Sequence, residues 1–274
     1  MAIDPQDFAY ISAFIRENSA IVLETGKEYL VEARLSPIVS QEGLPSLAAL
    51  VARLRQRPLN GLHSRVVEAM TTNETSFFRD VAPFDGLRQT TLPELIARRS
   101  SERRLRIWCG AASSGQEPYS LAILILEHFP ALANWDVKIL ATDLSRDILA
   151  RSKAGRYSQL EVNRGLPAPL LIKYFERVGM EWSVKESVRR LVQFEEMNLI
   201  RPWRAIPSCD IVFMRNVLIY FDVPTKKTIL EKIRGVMRSD GYLFLGSAET
   251  TMNIDPNFNR VQLGRSSCYS IVGA

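Results

Sequence analysis

The sequence predicts an α/β fold: a mostly parallel, doubly wound sheet preceded by a small all-helical domain. Three patterns point to it. After residue 100, short apolar runs alternate with amphipathic helical stretches, the signature of successive strand–helix units. The first 70 or so residues show helical periodicity only. Between Gly155 and Met197 the alternation breaks into brief segments, which a small antiparallel excursion from the main sheet explains.

Asp4-Pro5 supplies an N-cap followed by proline at the first helical position, and Phe8, Ile11, Phe14 and Ile15 line one face. Further helical runs span Glu28 to Gln41, stopped by Gly43, and Ser46 to Leu54, stopped before Pro58. Another covers Leu62 to Met70. The helical domain is placed at 1–72, with 73–100 as a linker and 101–274 as the sheet domain. In that domain Leu105 to Cys109 is a strand, followed by a Gly/Ser turn and a helix from Glu117 to about Phe129. A strand at Val137 to Ala141 ends in Thr142-Asp143 and leads to a helix from Ser145 to Ala154. A short helix near Pro169 to Phe175 precedes Glu176 to Val178, Glu181 to Val184 and Leu191 to Met197, placing a β-subdomain at about 176–196. Asp210 to Met214, a helix from Thr225 to Met237 and Gly241 to Leu245 resume the alternation. Asn259 to Leu263 and Ser267 to Val272 flank Gly264 as a hairpin.

The chain has 274 residues, 46% hydrophobic and 24% charged, as expected of a globular protein with a substantial core. No run of about 18 apolar residues occurs, so no membrane insertion is expected. Acidic residues stand near the N-terminus where a signal peptide carries basic ones, which places the protein in the cytoplasm. Three scattered cysteines without CxxC spacing argue against a disulfide framework and a zinc site. Two isolated histidines leave little for metal or triad chemistry. The net charge of +5 suits an acidic partner. The densest basic stretch, Arg98 to Arg106, reads as a solvated connector with cations at a helix C-terminus, in preference to a binding patch.

The chemistry begins at Ile107-Trp-Cys-Gly110-Ala-Ala-Ser-Ser-Gly115-Gln-Glu117, which leaves a strand and opens a helix. Small residues let backbone approach a ligand, and a helix N-terminus offers unpaired N–H groups. The turn is neither GxGxxG nor a P-loop, so a nucleoside with an amino-acid tail suits it better than a pyrophosphate. Asp143, at the carboxyl end of the next strand, is placed to accept both ribose hydroxyls, which is favoured over a helix-capping role. Asn198 and Asn216 also follow strands, where ligands bind in open α/β sheets; each fits a turn residue as well.

Thr71-Thr-Asn73-Glu-Thr75-Ser-Phe-Phe-Arg79, Ala112-Ser-Ser-Gly-Gln-Glu-Pro-Tyr-Ser120 and Arg215-Asn-Val-Leu-Ile-Tyr-Phe-Asp222 occur in that order. Together they resemble the CheR family, the chemoreceptor glutamate methyltransferases of bacterial chemotaxis. The likeness runs from the N-terminal helices through Gly241-Tyr-Leu-Phe-Leu-Gly246 to the C-terminal hairpin. It implies a Rossmann-like S-adenosylmethionine methyltransferase domain with an inserted β-subdomain, S-adenosylhomocysteine as product, and no metal. By the resemblance, Asn73, Thr75, Arg79, Glu117, Asp143, Asn198, Leu199 and Asn216 match cofactor contacts. The turn glycines Gly110 and Gly115, with Arg215 and Val217, complete the candidate set. Arg79 and Tyr220 match the catalytic positions, and Glu117 suits the cationic amine of the methionine tail by charge.

The reaction implied is methyl transfer from a sulfonium to a glutamate carboxylate. With a pKa of about 4.3, that carboxylate is already ionised at neutral pH and needs no general base. The implied partner is the cytoplasmic helical region of methyl-accepting chemoreceptors. Lys27, Arg34, Arg53 and Arg55 are candidate contacts on the helical domain. Relatives often carry a denser basic row on the second helix, whereas this chain continues Leu-Ser-Pro-Ile-Val-Ser after Arg34. A monomer is expected, with no nucleic-acid partner. Val178-Gly-Met-Glu-Trp182 lacks the extra Gly-containing turn of relatives that hold a receptor-tethered pentapeptide by strand addition, so the pentapeptide-independent type is expected. One rival is a nucleic-acid methyltransferase, suggested by the basic charge, but Asn216-Val-Leu-Ile stands where those acting on amino nitrogens carry D/N-P-P-Y/F. The other is a non-catalytic cofactor-binding sensor, against which Arg79 and Tyr220 stand.

Overall fold

The computed structural model describes residues 3–56 and 61–273. Two compact units emerge, one of Met1–Thr72 with Tyr220–Thr225, the other of Asn73–Ile219 with Lys226–Ala274. No helix among the described residues is long and apolar enough to cross a membrane.

The first unit is built on α1 (Pro5–Ser19), α2 (Glu28–Gln41), α3 (Leu47–Gln56) and α4 (Gly61–Ala69). Asp4 caps α1 by accepting the Gln6 amide at 2.8 Å, and Pro5 has no N–H to leave unpaired. Ile11 and Ile15 of α1, Val31 and Leu35 of α2, Leu50 of α3 and Val66 of α4 are fully buried, one apolar stripe per helix around a shared core. Pro58, expected to stop the third helix, lies outside the described residues. His63 is a core side chain, edge-on to Phe14 at 5.5 Å and hydrogen-bonded through Nε2 to the Leu54 carbonyl at 3.1 Å. The Tyr220–Thr225 segment is bonded to this unit. The Val22 amide donates to the Tyr220 carbonyl at 3.1 Å, and Arg16 Nη2 donates to Asp222 Oδ2 at 2.7 Å.

The second unit contains β1 (Arg104–Gly110), β2 (Asp136–Asp143), β3 (Arg156–Tyr157), β4 (Phe175–Val178) and β5 (Glu181–Val184). It continues with β6 (Val192–Glu196), β7 (Cys209–Met214), β8 (Met237–Leu245), β9 (Phe258–Leu263) and β10 (Ser266–Ile271). Seven strands form one sheet in the order β6-β2-β1-β7-β8-β10-β9. The first five in that order are mutually parallel, and β10 runs antiparallel to β8 and β9. Every residue of β7 is buried, which is why it reads as an unbroken apolar run. The antiparallel excursion is the small sheet β3-β5-β4.

Two boundaries differ from those read in the sequence. Val192–Glu196, counted with the excursion, pairs parallel with β2 at the edge of the main sheet. Five residues of pattern fix which face is apolar but not which strand lies alongside. Residues 73–100 are no linker: they include helices Ala82–Gly86 and Leu92–Arg98, and Phe84, Leu87, Leu92 and Leu95 enter the core of the second unit.

The basic stretch after residue 97 is largely paired within the fold. Arg99 Nε donates to Asp210 Oδ1 at 2.7 Å, and its Nη atoms donate to Asp240 at 2.9 and 2.5 Å. Asp210 also accepts the Arg106 amide at 2.8 Å, tying β7 to β1 near their amino ends. Arg98 pairs with Glu94 and Arg106 with Asp136. All three cysteines are free and buried, and burial pushes the thiols of Cys209 and Cys268 up to about 12.

The Thr225 hydroxyl and amide, aided by Arg16, hold the Asp222 carboxyl down to about 2 from an ordinary 3.8. A depressed carboxyl stabilises the fold above its unfolded pKa, and that contribution is lost as pH falls towards the folded value. Urea midpoints measured from pH 5 to pH 2 should therefore fall more steeply for wild type than for Asp222→Asn; parallel profiles would refute the linkage.

Candidate active site

The strand order reverses between β1 and β7, so their carboxyl ends open the crevice in which doubly wound sheets bind ligands. Gly110 closes β1, and the turn beyond it has positive φ at Ala111 (53°), Ser113 (50°) and Gly115 (92°). Gly115 then opens the helix Gln116–His128. A Cβ on Gly115 would lie 3.1 Å from the Tyr157 hydroxyl and 3.2 Å from Ser152 Cβ, on backbone already in the left-handed region. At Gly110 the missing side chain leaves room for Met214 at the end of β7, whose Cε would sit 2.3 Å from a Cβ.

Four neighbours fix this turn. The Ser113 amide donates to Asp143 Oδ2 at 2.8 Å, and Ser113 Oγ donates to the Asn73 carbonyl at 2.9 Å. Ser152 Oγ donates to the Ser113 carbonyl at 2.8 Å, and the Tyr157 hydroxyl to the Ser114 carbonyl at 2.7 Å. Burial pushes the Tyr157 phenol far up, so it remains a neutral donor. Asp143, 7% exposed, also accepts the Ser145 amide at 3.0 Å; Ser145 itself caps the following helix.

Arg215, just beyond β7, has a side chain only 1% exposed. Its Nη1 donates to Glu117 Oε2 at 2.7 Å, and its Nη2 donates to Asp80 Oδ2 at 2.8 Å and the Arg79 carbonyl at 3.0 Å. Burial pushes the Glu117 carboxyl up, and the Arg215 guanidinium beside it opposes the shift. The Nε–H of Arg215 is buried without an acceptor among the described residues. A buried unmet cationic donor next to a buried carboxylate suits a ligand bearing both carboxylate and ammonium groups, as an amino-acid tail does. The donor set therefore fits S-adenosylmethionine: Asp143 for a vicinal diol, Glu117 and Arg215 for the zwitterionic tail.

Arg79 Nη1 donates to the Glu74 carbonyl at 2.9 Å. It lies in a stretch with positive φ at Phe78 (47°), Asp80 (65°) and the β-branched Val81 (25°). Such conformations cost of order 1–3 kcal/mol each and persist where surroundings over-determine them. Here the Phe78 amide donates to Ser120 Oγ at 2.9 Å, and Arg215 grips Asp80 and the Arg79 carbonyl. Thr75 is half-buried in the same segment. Asn198 follows β6 as an Asx turn, accepting the Ile200 amide at 3.1 Å, and the carbonyl of the buried Leu199 accepts from Trp203 Nε1 at 3.1 Å.

Glu249 escaped the sequence reading. Its carboxylate accepts four backbone amides: Asn216 at 2.7 Å, Val217 at 2.9 Å, Ile219 at 3.3 Å and Gly246 at 2.6 Å. Asn216 stands at φ 59°, a conformation asparagine tolerates better than most residues. Gly246 admits no side chain, because a Cβ would lie 2.7 Å from Asn216 Nδ2. The only signal was an acid shortly after the end of a parallel strand, next to the motif that stops at Gly246.

Of the candidate receptor contacts, the three arginines are engaged within the helical unit, whereas Lys27 is exposed. Arg34 donates to the carbonyls of Met70 at 2.6 Å and Thr71 at 3.0 Å and to Thr72 Oγ1 at 2.9 Å. Arg53 pairs with Glu42 at 2.8 Å; Arg55 pairs with Asp7 at 3.3 Å and lies over the Tyr10 ring. Tyr220 ends the 3₁₀ turn Leu218–Tyr220 and groups with that unit. Among the described residues, no group of three or more His, Cys, Asp or Glu converges as metal ligands would.

Comparison with known proteins gives two family matches: residues 6–71 match the CheR methyltransferase all-alpha domain, and residues 73–266 the CheR methyltransferase SAM binding domain. The chain is 43% identical over 267 residues to chemotaxis protein methyltransferase 1 of Pseudomonas aeruginosa, covering 96% of this chain and 97% of that one. It is 38% identical over 275 residues to chemotaxis protein methyltransferase 1 of Vibrio cholerae, covering 99% and 98%.

Glu249→Gln keeps the side-chain shape but leaves one acceptor oxygen and turns an NH2 towards amide donors. We expect a stability loss on the order of 2 kcal/mol and weaker S-adenosylmethionine binding, read by thermal melting and calorimetric titration. A variant as stable and as tight-binding as wild type would show that the four amides do not depend on the charge.

Proposed function

Because the chain belongs to the CheR methyltransferase family, we propose that it transfers the methyl group of S-adenosylmethionine to glutamate side chains of bacterial chemoreceptors, forming γ-methyl esters. The observation that supports this most directly is the linked set Glu117–Arg215–Asp80 beside the Gly110–Gly115 turn, with Asp143 at the adjacent strand end. When bound, S-adenosylmethionine supplies an electrophilic methyl group on a sulfonium.

The protein's own groups then orient and desolvate. Asp143 holds the ribose, and Glu117 with Arg215 holds the amino-acid tail. Arg79 and Tyr220 are the catalytic positions in this reading, and they align the reacting groups. An acceptor glutamate arrives ionised, so no side chain removes a proton from it. A tight bidentate ion pair to that nucleophile would slow the reaction by stabilising its charged ground state. Arg79, whose Nη1 is engaged by the Glu74 carbonyl, therefore serves in alignment.

The connector reading of the basic stretch is supported by its pairing, with Arg98, Arg99 and Arg106 bonded to Glu94, Asp210, Asp240 and Asp136, so the densest basic run offers little to a nucleic acid. The pentapeptide-independent reading gains support from β4, an outer strand of the small sheet with exposed Glu176 and Arg177; charge on an edge discourages strand addition. Its connection to β5 is the two-residue turn Gly179-Met180.

Incubation with methyl-labelled S-adenosylmethionine and receptor-bearing membranes should place base-labile label on the receptor. Label on RNA, or on nothing, would overturn the assignment. Arg79→Lys keeps the charge but loses the planar fork, and turnover should fall roughly 10²-fold; full activity would remove any need for the guanidinium. Titration with a receptor-type C-terminal pentapeptide should show no micromolar binding, and saturation in that range would reverse this part of the reading.

A further inference from the structure

Beside the candidate site lies a cavity of about 540 Å³, walled by the end of β8, the segment Ser247–Thr250, the hairpin β9–β10 and the Asp80–Pro83 stretch. Two arginines line it, Arg260 on β9 and Arg265 in the hairpin turn. Both are exposed, and neither has a carboxylate partner among the described residues. The two acids in its wall are already engaged: Asp80 by Arg215 at 2.8 Å, and Glu249 by its four amides. The two arginines thus stand at its rim without ion-pair partners among the described residues, while the hydrogen-bonding capacity of the two acids is taken up by Arg215 and by backbone amides. Met252, 71% exposed, adds an apolar edge, and Ser247 and Ser266 add hydroxyls.

Gly246 and Glu249 line this cavity and also form the amide cluster with Asn216 at the end of β7. Asp80, another wall residue, shares Arg215 with Glu117. The cavity therefore adjoins the cofactor crevice through side chains that belong to both. Its volume takes side chains, not a whole helix, whose diameter is about 10–12 Å. Guanidinium forks match carboxylates two oxygens at a time. On a helix, residues three and four apart share a face, so acidic side chains one turn from a target glutamate reach such a cavity together.

Building on the glutamate-methylation reading, we propose that this cavity seats acidic side chains of the substrate helix next to the methyl-accepting glutamate, with Arg260 and Arg265 reading their carboxylates. The two arginines determine which glutamates are presented and take no part in the chemical step.

The test uses the full chain with both arginines reversed, R260E/R265E, and the Lys pair R260K/R265K as control. With a purified cytoplasmic receptor fragment, the reversed variant should show a KM raised about tenfold or more, with kcat, S-adenosylmethionine affinity and melting temperature unchanged. The wild-type KM should rise with salt and that of the reversed variant should not, while the Lys pair restores most of the affinity. A fluorescent acidic helical peptide, titrated without S-adenosylmethionine, reads the cavity independently of methyl transfer and should bind wild type and the Lys pair but not the reversed variant. An unchanged KM and unchanged peptide binding would overturn the proposal while leaving receptor methylation standing. So would a parallel loss of cofactor affinity, or displacement of the peptide by an RNA oligonucleotide that itself requires both arginines. Wild type that binds the peptide but labels no receptor would instead defeat the functional reading on which the proposal rests.

Discussion

The candidate site depends on a single buried cation. Arg215 has almost no contact with solvent, and a guanidinium in that position is tolerable only when its hydrogen-bonding groups find partners. It finds the Glu117 carboxylate on the helix after β1, the Asp80 carboxylate, and the carbonyl of the adjoining Arg79. Two stretches far apart in sequence, around Asp80 and around Glu117, are thereby held to the end of β7. The positive φ angles at Phe78, Asp80 and Val81 are sustained by the same grip. The Phe78 amide, bonded to Ser120 Oγ at 2.9 Å, is a further tie on that segment.

Around this centre, carboxylates act as clamps on backbone. Parallel strands deliver loops to one edge of the sheet, and the amides of those loops have no ladder to join. Asp143 takes up two of them and Glu249 four. The loops are therefore shaped by ionic hydrogen bonds, which are shorter and stronger than neutral ones. That suits a pocket whose ligand must be held without rearrangement.

The alternation of strands and helices, the Gly turn and the position of Asp143 were legible because each is local: a period, a spacing, a strand end. The edge strand β6 was visible as a strand but its neighbour was not, since pairing with β2 is settled by packing some fifty residues away in sequence. The union of Glu117 with Arg215 was hidden for the same reason. Both residues were picked out singly, and only the fold brings their side chains together at 2.7 Å. Residues 73–100 were misread because their helices are short and interrupted, so no single window shows the apolar face that Phe84, Leu87, Leu92 and Leu95 turn to the core. Glu249 left almost no trace, because a backbone-clamping acid looks like any loop glutamate until the amides are seen around it.

The way the site's acids are held has a chemical consequence. This member of a methyltransferase family keeps several carboxylates at its candidate crevice, and a carboxylate is itself a potential methyl acceptor. A carboxylate is a good nucleophile when its lone pairs are bare. Those of Glu117, Asp143 and Glu249 are drawn into a guanidinium or into amides. The bonds that shape the pocket also dull its acids as nucleophiles.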